Sequence, residues 1–285
     1  MIHVLFNFLA NNGDSANQKE KIIELYKGQE IDFTEAALIS DYYEKIKSYK
    51  KDDVIIIAGG DGTLNRFIND IYGKKINQKL FLYACGTGND FLNDIQKYMD
   101  IKDNLVPLET FIKSLPVVKV NGIEKYFING IGYGIDGYCC EQGDIQREKN
   151  TKKVNYTKIA ILGMLGGYKT TNAKITVDGK SYEYKNVWLA PSMMGRFYGG
   201  GMMIAPEQDR FNKKKTITCV VCFEKSKLKL LMNFPKIFKG AHTHLPMIKI
   251  FEGHHIKVEY NRPVALQIDG ETVRNVSSYE ASYGE

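Results

Sequence analysis

The sequence predicts an α/β protein in two domains, a parallel α/β domain followed by an antiparallel, sandwich-like β domain. Three observations predict it. Over the first 110 residues, short β-branched runs alternate with helical periodicity, the order that gives parallel strands joined by crossover helices. From about residue 117 the texture changes to strands and glycine-containing turns. A chain of 285 residues, 44% of them hydrophobic, can bury two cores of ordinary size.

Residues 2–8 read as the first strand, with Asn11-Asn12-Gly13 as the turn after it, and 18–27 as a helix. Residues 34–50 read as one helix, because Ile39, Tyr42, Ile46 and Tyr49 fall at i, i+3, i+7 and i+10 on a single face. A buried strand at 54–58 leads to a helix whose face is Leu64, Phe67, Ile68 and Ile71, and a strand at 80–84 precedes a short helix at about 89–98. Beyond the change of period, strands are expected at 117–120, 123–128, 173–177, 182–189, 216–223, 256–260 and 264–268. Asp178-Gly179 is a hairpin signal between two of them. The boundary therefore falls at residues 1–115 and 116–275, with 276–285 assigned back to the first domain as a tail.

A formal charge of +6 favours anionic partners without the excess of a histone-like protein. Five cysteines make no disulfide framework, and a reducing cytoplasm is the expected home. The N-terminus lacks the basic region of a signal peptide, and the longest apolar stretch, 159–165, falls far short of the roughly 20 residues a bilayer demands. Membrane contact, if made, is peripheral.

The strongest local signal is Gly59-Gly60-Asp61-Gly62-Thr63 between a buried strand and a helix. Glycines let backbone N–H groups approach an anion, and the helix N-terminus adds positive partial charge. The loop has neither the GxGxxG of a dinucleotide fold nor the GK[ST] of a P-loop. Asp61 among phosphates suits a residue that holds Mg2+ or takes a proton. A tight turn with Thr63 as helix N-cap is the structural alternative. The next strand end repeats the architecture in Gly86-Thr87-Gly88-Asn89-Asp90-Phe91, where Asn89 or Asp90 could also serve only as a cap. Two such loops at carboxyl ends of strands would share a crevice fit for a nucleoside triphosphate. Near the C-terminus, Asp269 and Glu271 stand two apart at a strand end and could share one site, or Asp269-Gly270 could be an ordinary hairpin turn.

These motifs, together with Asn129-Gly130-Ile131-Gly132-Tyr133-Gly134-Ile135-Asp136, Gly199-Gly200-Gly201-Met202 and Ala205-Pro206, follow the order and rough spacing of the diacylglycerol kinase catalytic-domain family, which the chain resembles over essentially its whole length. The resemblance implies a Rossmann-like α/β nucleotide-binding domain and a C-terminal β-sandwich domain of NAD kinase/diacylglycerol kinase type, with nucleotide between them. It further implies transfer of the ATP γ-phosphate to a lipid hydroxyl, with diacylglycerol and phosphatidic acid as the expected pair. It places Gly59, Gly60, Asp61, Gly62 and Thr63 on the ATP phosphates and Gly86, Thr87, Asn89 and Asp90 beside the nucleotide. Asn7 matches the family's Asn-Pro segment, with Phe8 in place of proline, and Thr34 a threonine near the ribose or phosphates. Glu271 corresponds to the proton acceptor. Asp269 and Asp61 complete the acidic cluster, so that Asp61 and Glu271 become the ligands of a catalytic Mg2+. Asp136 faces the lipid head group.

Two departures stand out. Arg66 occupies a position where the family usually has Glu. After Pro206, the Asp-Gly that helps bind a structural Mg2+ is replaced by Asp209-Arg210-Phe211-Asn212-Lys213-Lys214-Lys215, which leaves Asp209 as the remaining candidate ligand. Cys219 and Cys222, and the pairs His242/His244 and His254/His255, do not add up to a metal site. Lysines and apolar residues interleave over 225–239 around Pro235, as in an amphipathic element that meets an anionic membrane, or as in a solvated face over a core. The expected partners are ATP, a membrane lipid and an anionic membrane surface, with no nucleic acid; a homodimer stays open. An NAD kinase-like phosphotransferase on a soluble acceptor, and a nucleotide- or lipid-binding protein without turnover, remain as alternatives.

Overall fold

The computed structural model describes residues 1–8, 15–149 and 154–283; the expected Asn11-Asn12-Gly13 turn lies outside them. The chain divides into two compact units, Met1–Ser114 and Leu115–Glu285.

The first unit is built on β1 (Ile2–Phe6), β2 (Ile31–Glu35), β3 (Val54–Gly59), β4 (Lys79–Ala84) and β5 (Leu105–Pro107), in the order β2-β1-β3-β4-β5. The first four strands run parallel and β5 is antiparallel to β4. Every residue of β1 is buried, as are five of the six in β3, the near-continuous apolar run expected of strands covered on both faces. Val4, Phe6, Ile56 and Ala58 pack with Ile22 of α1 (Ser15–Leu25). By alternation Leu5, Ile55 and Ile57 face the opposite side.

The structure corrects the helix expected over 34–50. Residues 31–35 form β2, paired in register with β1, so Thr34 lies in a strand opposite Leu5. A 3-10 turn follows at Ala36–Leu38, and helix α2 spans only Tyr42–Lys47. The reason is a restart: Asp41 caps α2 by accepting the Tyr43 and Glu44 N–H groups at 2.8 and 3.1 Å. The apolar period survives because Ile39, Tyr42 and Ile46 are all buried, Tyr42 edge-on to Phe67 of α3 (Asp61–Ile71). The helix expected at 89–98 is α4, Asp90–Ile95.

In the second unit one large sheet runs β7 (Ile123–Tyr126), β6 (Pro116–Val120), β15 (Glu271–Tyr283), β14 (His255–Ile268), β8 (Gly130–Tyr133), β11 (Ser192–Met193), β12 (Ile217–Phe223), β10 (Lys180–Leu189), β9 (Thr171–Val177). Strand β13 (Ile248–Gly253) pairs with β12. Since β9 pairs with both β10 and β14, the sheet folds back on itself, a sandwich closed into a barrel. The two strands expected at 256–260 and 264–268 are one bent strand, β14, whose register against β15 shifts between Glu259 and Leu266. Residues 276–283 do not return to the first unit: they continue β15 and pair with β14 and β6. Sequence periodicity also misses α5 (Ile135–Lys149), whose start lies so close to β14 that a Cβ on Gly137 would fall 2.0 Å from the Ala265 carbonyl oxygen.

At the amino end of β1, buried His3 stacks on Tyr49 at 3.5 Å, and its Nε2 lies 3.2 Å from Asp53. The Asp53 carboxylate also takes the Lys50 N–H and the Met1 ammonium. Burial alone would raise its pKa, but these three partners together hold it below the usual carboxylate range. Its contribution to stability is therefore present above the unfolded-state pKa and lost as pH falls through the lower folded-state value. We expect Asp53→Asn to lower Tm by a few degrees at pH 7, with the gap to the wild type narrowing at about pH 3 in thermal melts.

Candidate functional site

The four parallel strands of the first unit all end on one edge, and that edge collects Asn7, Thr34, the 59–63 loop and the 86–90 loop. The chain leaves β1 toward β2 on one side and β3 on the other, so the crevice between β1 and β3 is the topological switch point where ligands bind in open sheets. Asn7 and Thr63 meet there: Asn7 Nδ2 donates to Thr63 Oγ1 at 2.8 Å.

The loops touch through glycine. A Cβ on Gly86 would stand 2.4 Å from the Gly60 Cα, and the Cys85 N–H donates to the Gly59 carbonyl at 3.0 Å. The residue that caps α3 is Gly60, not Thr63, and it offers no side-chain acceptor to the first-turn N–H groups. Those donors, with the positive end of the helix dipole, suit a phosphate oxygen.

Asp61 has a role that spacing could not reveal. Its Oδ2 accepts the Asp90 N–H at 3.0 Å and its Oδ1 the Phe91 N–H at 2.9 Å. It thereby caps α4 from a different loop. Asn89, the positional cap of α4, sits at φ 50° and accepts the Gly86 N–H at 2.8 Å, closing its own loop instead. Asp90 is buried, and Thr87 is exposed at the loop tip. Arg66 turns its guanidinium to the Ile39 carbonyl, over the Tyr42 ring.

In the second unit, Asp269 and Gly270 have φ of 46° and 96° and form the two-residue turn between β14 and β15. The carboxylates flanking that turn have separate partners. Asp269 is buried, and its carboxylate accepts the N–H groups of Ile128, Asn129 and Gly130 at 2.6, 2.9 and 2.9 Å. Arg210, also buried, grips the same segment through the Ile128 carbonyl and the Asn129 side chain. Glu271 is part-exposed and paired with Lys125 at 2.8 Å. A shallow basin of about 710 Å³ lies beside it, lined by Lys125, Asp144, Arg147 and Thr272 among others.

Asp136 lies in the first turn of α5. Its Oδ2 is shut from solvent, as is the hydroxyl of Tyr198, and the two side chains interact with each other. Burial pushes the Asp136 carboxyl up to about 7, against the smaller opposing influence of the nearby Tyr198 hydroxyl. Tyr198 is placed by the Gly199-Gly200-Gly201 loop, which closes where Tyr198 and Met202 exchange both backbone hydrogen bonds at 3.1 Å. Sequence reasoning misses Tyr198, Lys125 and Arg210. For Tyr198 the adjoining glycine run was the available signal; for the other two there was none.

Among the described residues no three His, Cys, Asp or Glu side chains gather in metal-binding geometry. Asp61 accepts two N–H groups, Asp209 accepts the Phe211 N–H at 3.0 Å, and Glu271 holds Lys125. Among the described residues, too, no helix is long and apolar enough to cross a membrane.

The family model for the diacylglycerol kinase catalytic domain matches residues 1–120. That for the YegS C-terminal NAD kinase beta sandwich-like domain matches residues 130–280. A Mycobacterium tuberculosis protein named diacylglycerol kinase is 27% identical over 216 residues, covering 74% of this chain and 68% of the relative. The crystal structure of a diacylglycerol kinase from Bacillus anthracis superposes with a TM-score of 0.67 at 20% identity, over 99% of this chain and 93% of that one, a likeness of fold.

The bonding pattern separates acids that hold backbone from one that does not. Asp61→Ala should cost about 1–2 kcal/mol through the lost α4 cap. Asp269→Ala should cost about 3 kcal/mol or more through three orphaned buried donors, whereas Glu271→Gln, an exposed pair, should stay within about 0.5 kcal/mol. Urea denaturation measures all three, and equal stability of Asp269→Ala and wild type would refute the structural role. Asp136 titrates higher in the folded state, so the native form binds the extra proton between about pH 4 and 7 and loses stability as pH rises through that window. The stability difference between wild type and Asp136→Asn should accordingly change across it and level off above.

Proposed function

We propose, because the chain belongs to the diacylglycerol kinase catalytic-domain family and carries two glycine loops in backbone contact at one sheet edge, that it is an ATP-dependent lipid kinase. The reaction is transfer of the ATP γ-phosphate to a lipid hydroxyl, with diacylglycerol as acceptor and phosphatidic acid as product. The observation that carries the reading is the Gly60–Gly86 contact, since it aims an uncapped helix N-terminus and a second glycine loop at one crevice.

In this reading the N–H groups of 59–63 bind the triphosphate, Asn7 orients the Thr63 hydroxyl, and Thr34, Thr87 and Asn89 lie along the nucleotide. Phosphoryl transfer asks mainly for positioning and electrostatic stabilisation, which preformed backbone donors provide. Glu271 takes the proton from the acceptor hydroxyl as that oxygen attacks. Lys125 orients the Glu271 carboxylate, and Asp269 is a positioning residue that fixes the turn on which Glu271 stands. Asp136, buried beside the Tyr198 hydroxyl, receives the polar end of the acceptor. Asp61 and Glu271 would be the protein's ligands to a Mg2+ bound with the triphosphate, which would neutralise charge on the transferring phosphoryl group. The family, the free thiols and the acceptor's chemistry support a cytoplasmic enzyme that works at a membrane surface.

Transfer of label from γ-labelled ATP to a panel of lipids in mixed micelles, with NAD as soluble control, tests the reading. The expected outcome is a labelled diacylglycerol product and about a thousandfold loss of turnover in Glu271→Gln. Label on NAD alone, or full turnover by Glu271→Gln, would overturn it.

A further inference from the structure

Two segments of the second unit, about sixty residues apart in sequence, meet on its surface. Helix α6 (Tyr156–Leu162) runs into a π-turn at Gly163–Gly167, and helix α7 (Lys227–Asn233) runs into a 3-10 turn at Phe234–Lys239. Lys227 joins them by donating from Nζ to the Leu165 carbonyl at 3.1 Å.

Each segment buries only a thin apolar row: Ile159 and Met164 in the first, Leu230 and Ile237 in the second. What they leave outside is large and apolar. Leu162 is 53% exposed, Leu165 56%, Leu228 68% and Met232 71%. A single exposed apolar side chain needs no explanation, but four in two joined segments make a patch. The charge carried by the two segments themselves is all of one sign. Residues 156–169 carry two lysines and residues 225–239 five, every one exposed, and neither stretch contains an acidic residue.

We propose that this two-segment surface docks the protein on an anionic lipid bilayer. The leucines and Met232 enter the interface, and the seven lysines meet head-group phosphates. Charge complementarity selects this occupant. In a two-fold pairing of copies each patch faces itself, which would set the lysines of one copy against those of the other. The patch extends the amphipathic run at 225–239 by a partner, 156–167, that only the fold brings to it. The proposal rests on the lipid-kinase reading for its purpose and not for its physics.

The test uses the full chain and vesicles of phosphatidylcholine with or without phosphatidylglycerol. Co-sedimentation should require the anionic lipid and weaken as salt rises from about 50 to 500 mM. The variants Leu228→Ser/Met232→Ser, Leu162→Ser/Leu165→Ser and Lys225→Gln/Lys229→Gln should each weaken it about tenfold, with phosphorylation of a short-chain, water-soluble diacylglycerol unchanged. Variants that bind like wild type would overturn the proposal. So would a concentration-dependent dimer that the leucine variants dissociate, since a second copy would then cover the patch. Vesicle binding by a protein that phosphorylates no lipid would support the surface and overturn only the kinase reading.

Discussion

The Asp61 carboxylate accepts the N–H groups of Asp90 and Phe91, and through those two bonds the turn after β3 dictates where α4 begins. The glycine contact between 60 and 86 is possible only while the loops are held that close, and the Asn89 bond to the Gly86 N–H keeps the second loop in shape once it arrives. An edge made of backbone donors has no side chains with which to adjust. Its precision comes from whatever fixes the backbone, and here that is one acidic side chain spanning two loops.

The second unit follows the same logic with heavier restraint. Asp269 takes three N–H groups of the segment before β8, while Arg210 takes a carbonyl and a side chain of that segment. Both charges are buried and both are bonded, as interior charges must be. Asp136 is the contrasting case, buried with the Tyr198 hydroxyl as its neighbour and with a pKa raised to about 7.

Much of the fold was legible because burial writes itself into periodicity. The apolar runs of β1 and β3 and the face of α3 all appear where the sequence puts them. The strand at 31–35 was not legible, because β2 is an edge strand whose residues are only part-buried, while the apolar spacing of Ile39, Tyr42 and Ile46 runs on past it and mimics one long helix. Glycine motifs located the loops. They could not tell that Asp61 caps a distant helix or that Asp269 serves a strand end 140 residues earlier, because hydrogen bonds between remote segments leave no period in the sequence. The tail at 276–283 was misplaced for the same reason: pairing of the last strand with the first one of its own sheet is topological information.

That pairing also sets an order of events. Every strand of the first unit lies within residues 2–107, so its sheet can close as soon as that length of chain is available. The ring in the second unit closes only when β14 reaches β9, and its flank only when Tyr283 comes opposite Pro116. Contacts so far apart in the chain are slow to form. On the ribosome the first unit therefore completes early, and the β unit stays open-edged until β15 emerges, which makes the pairing of that strand the step at which a nascent chain is most exposed to misassembly.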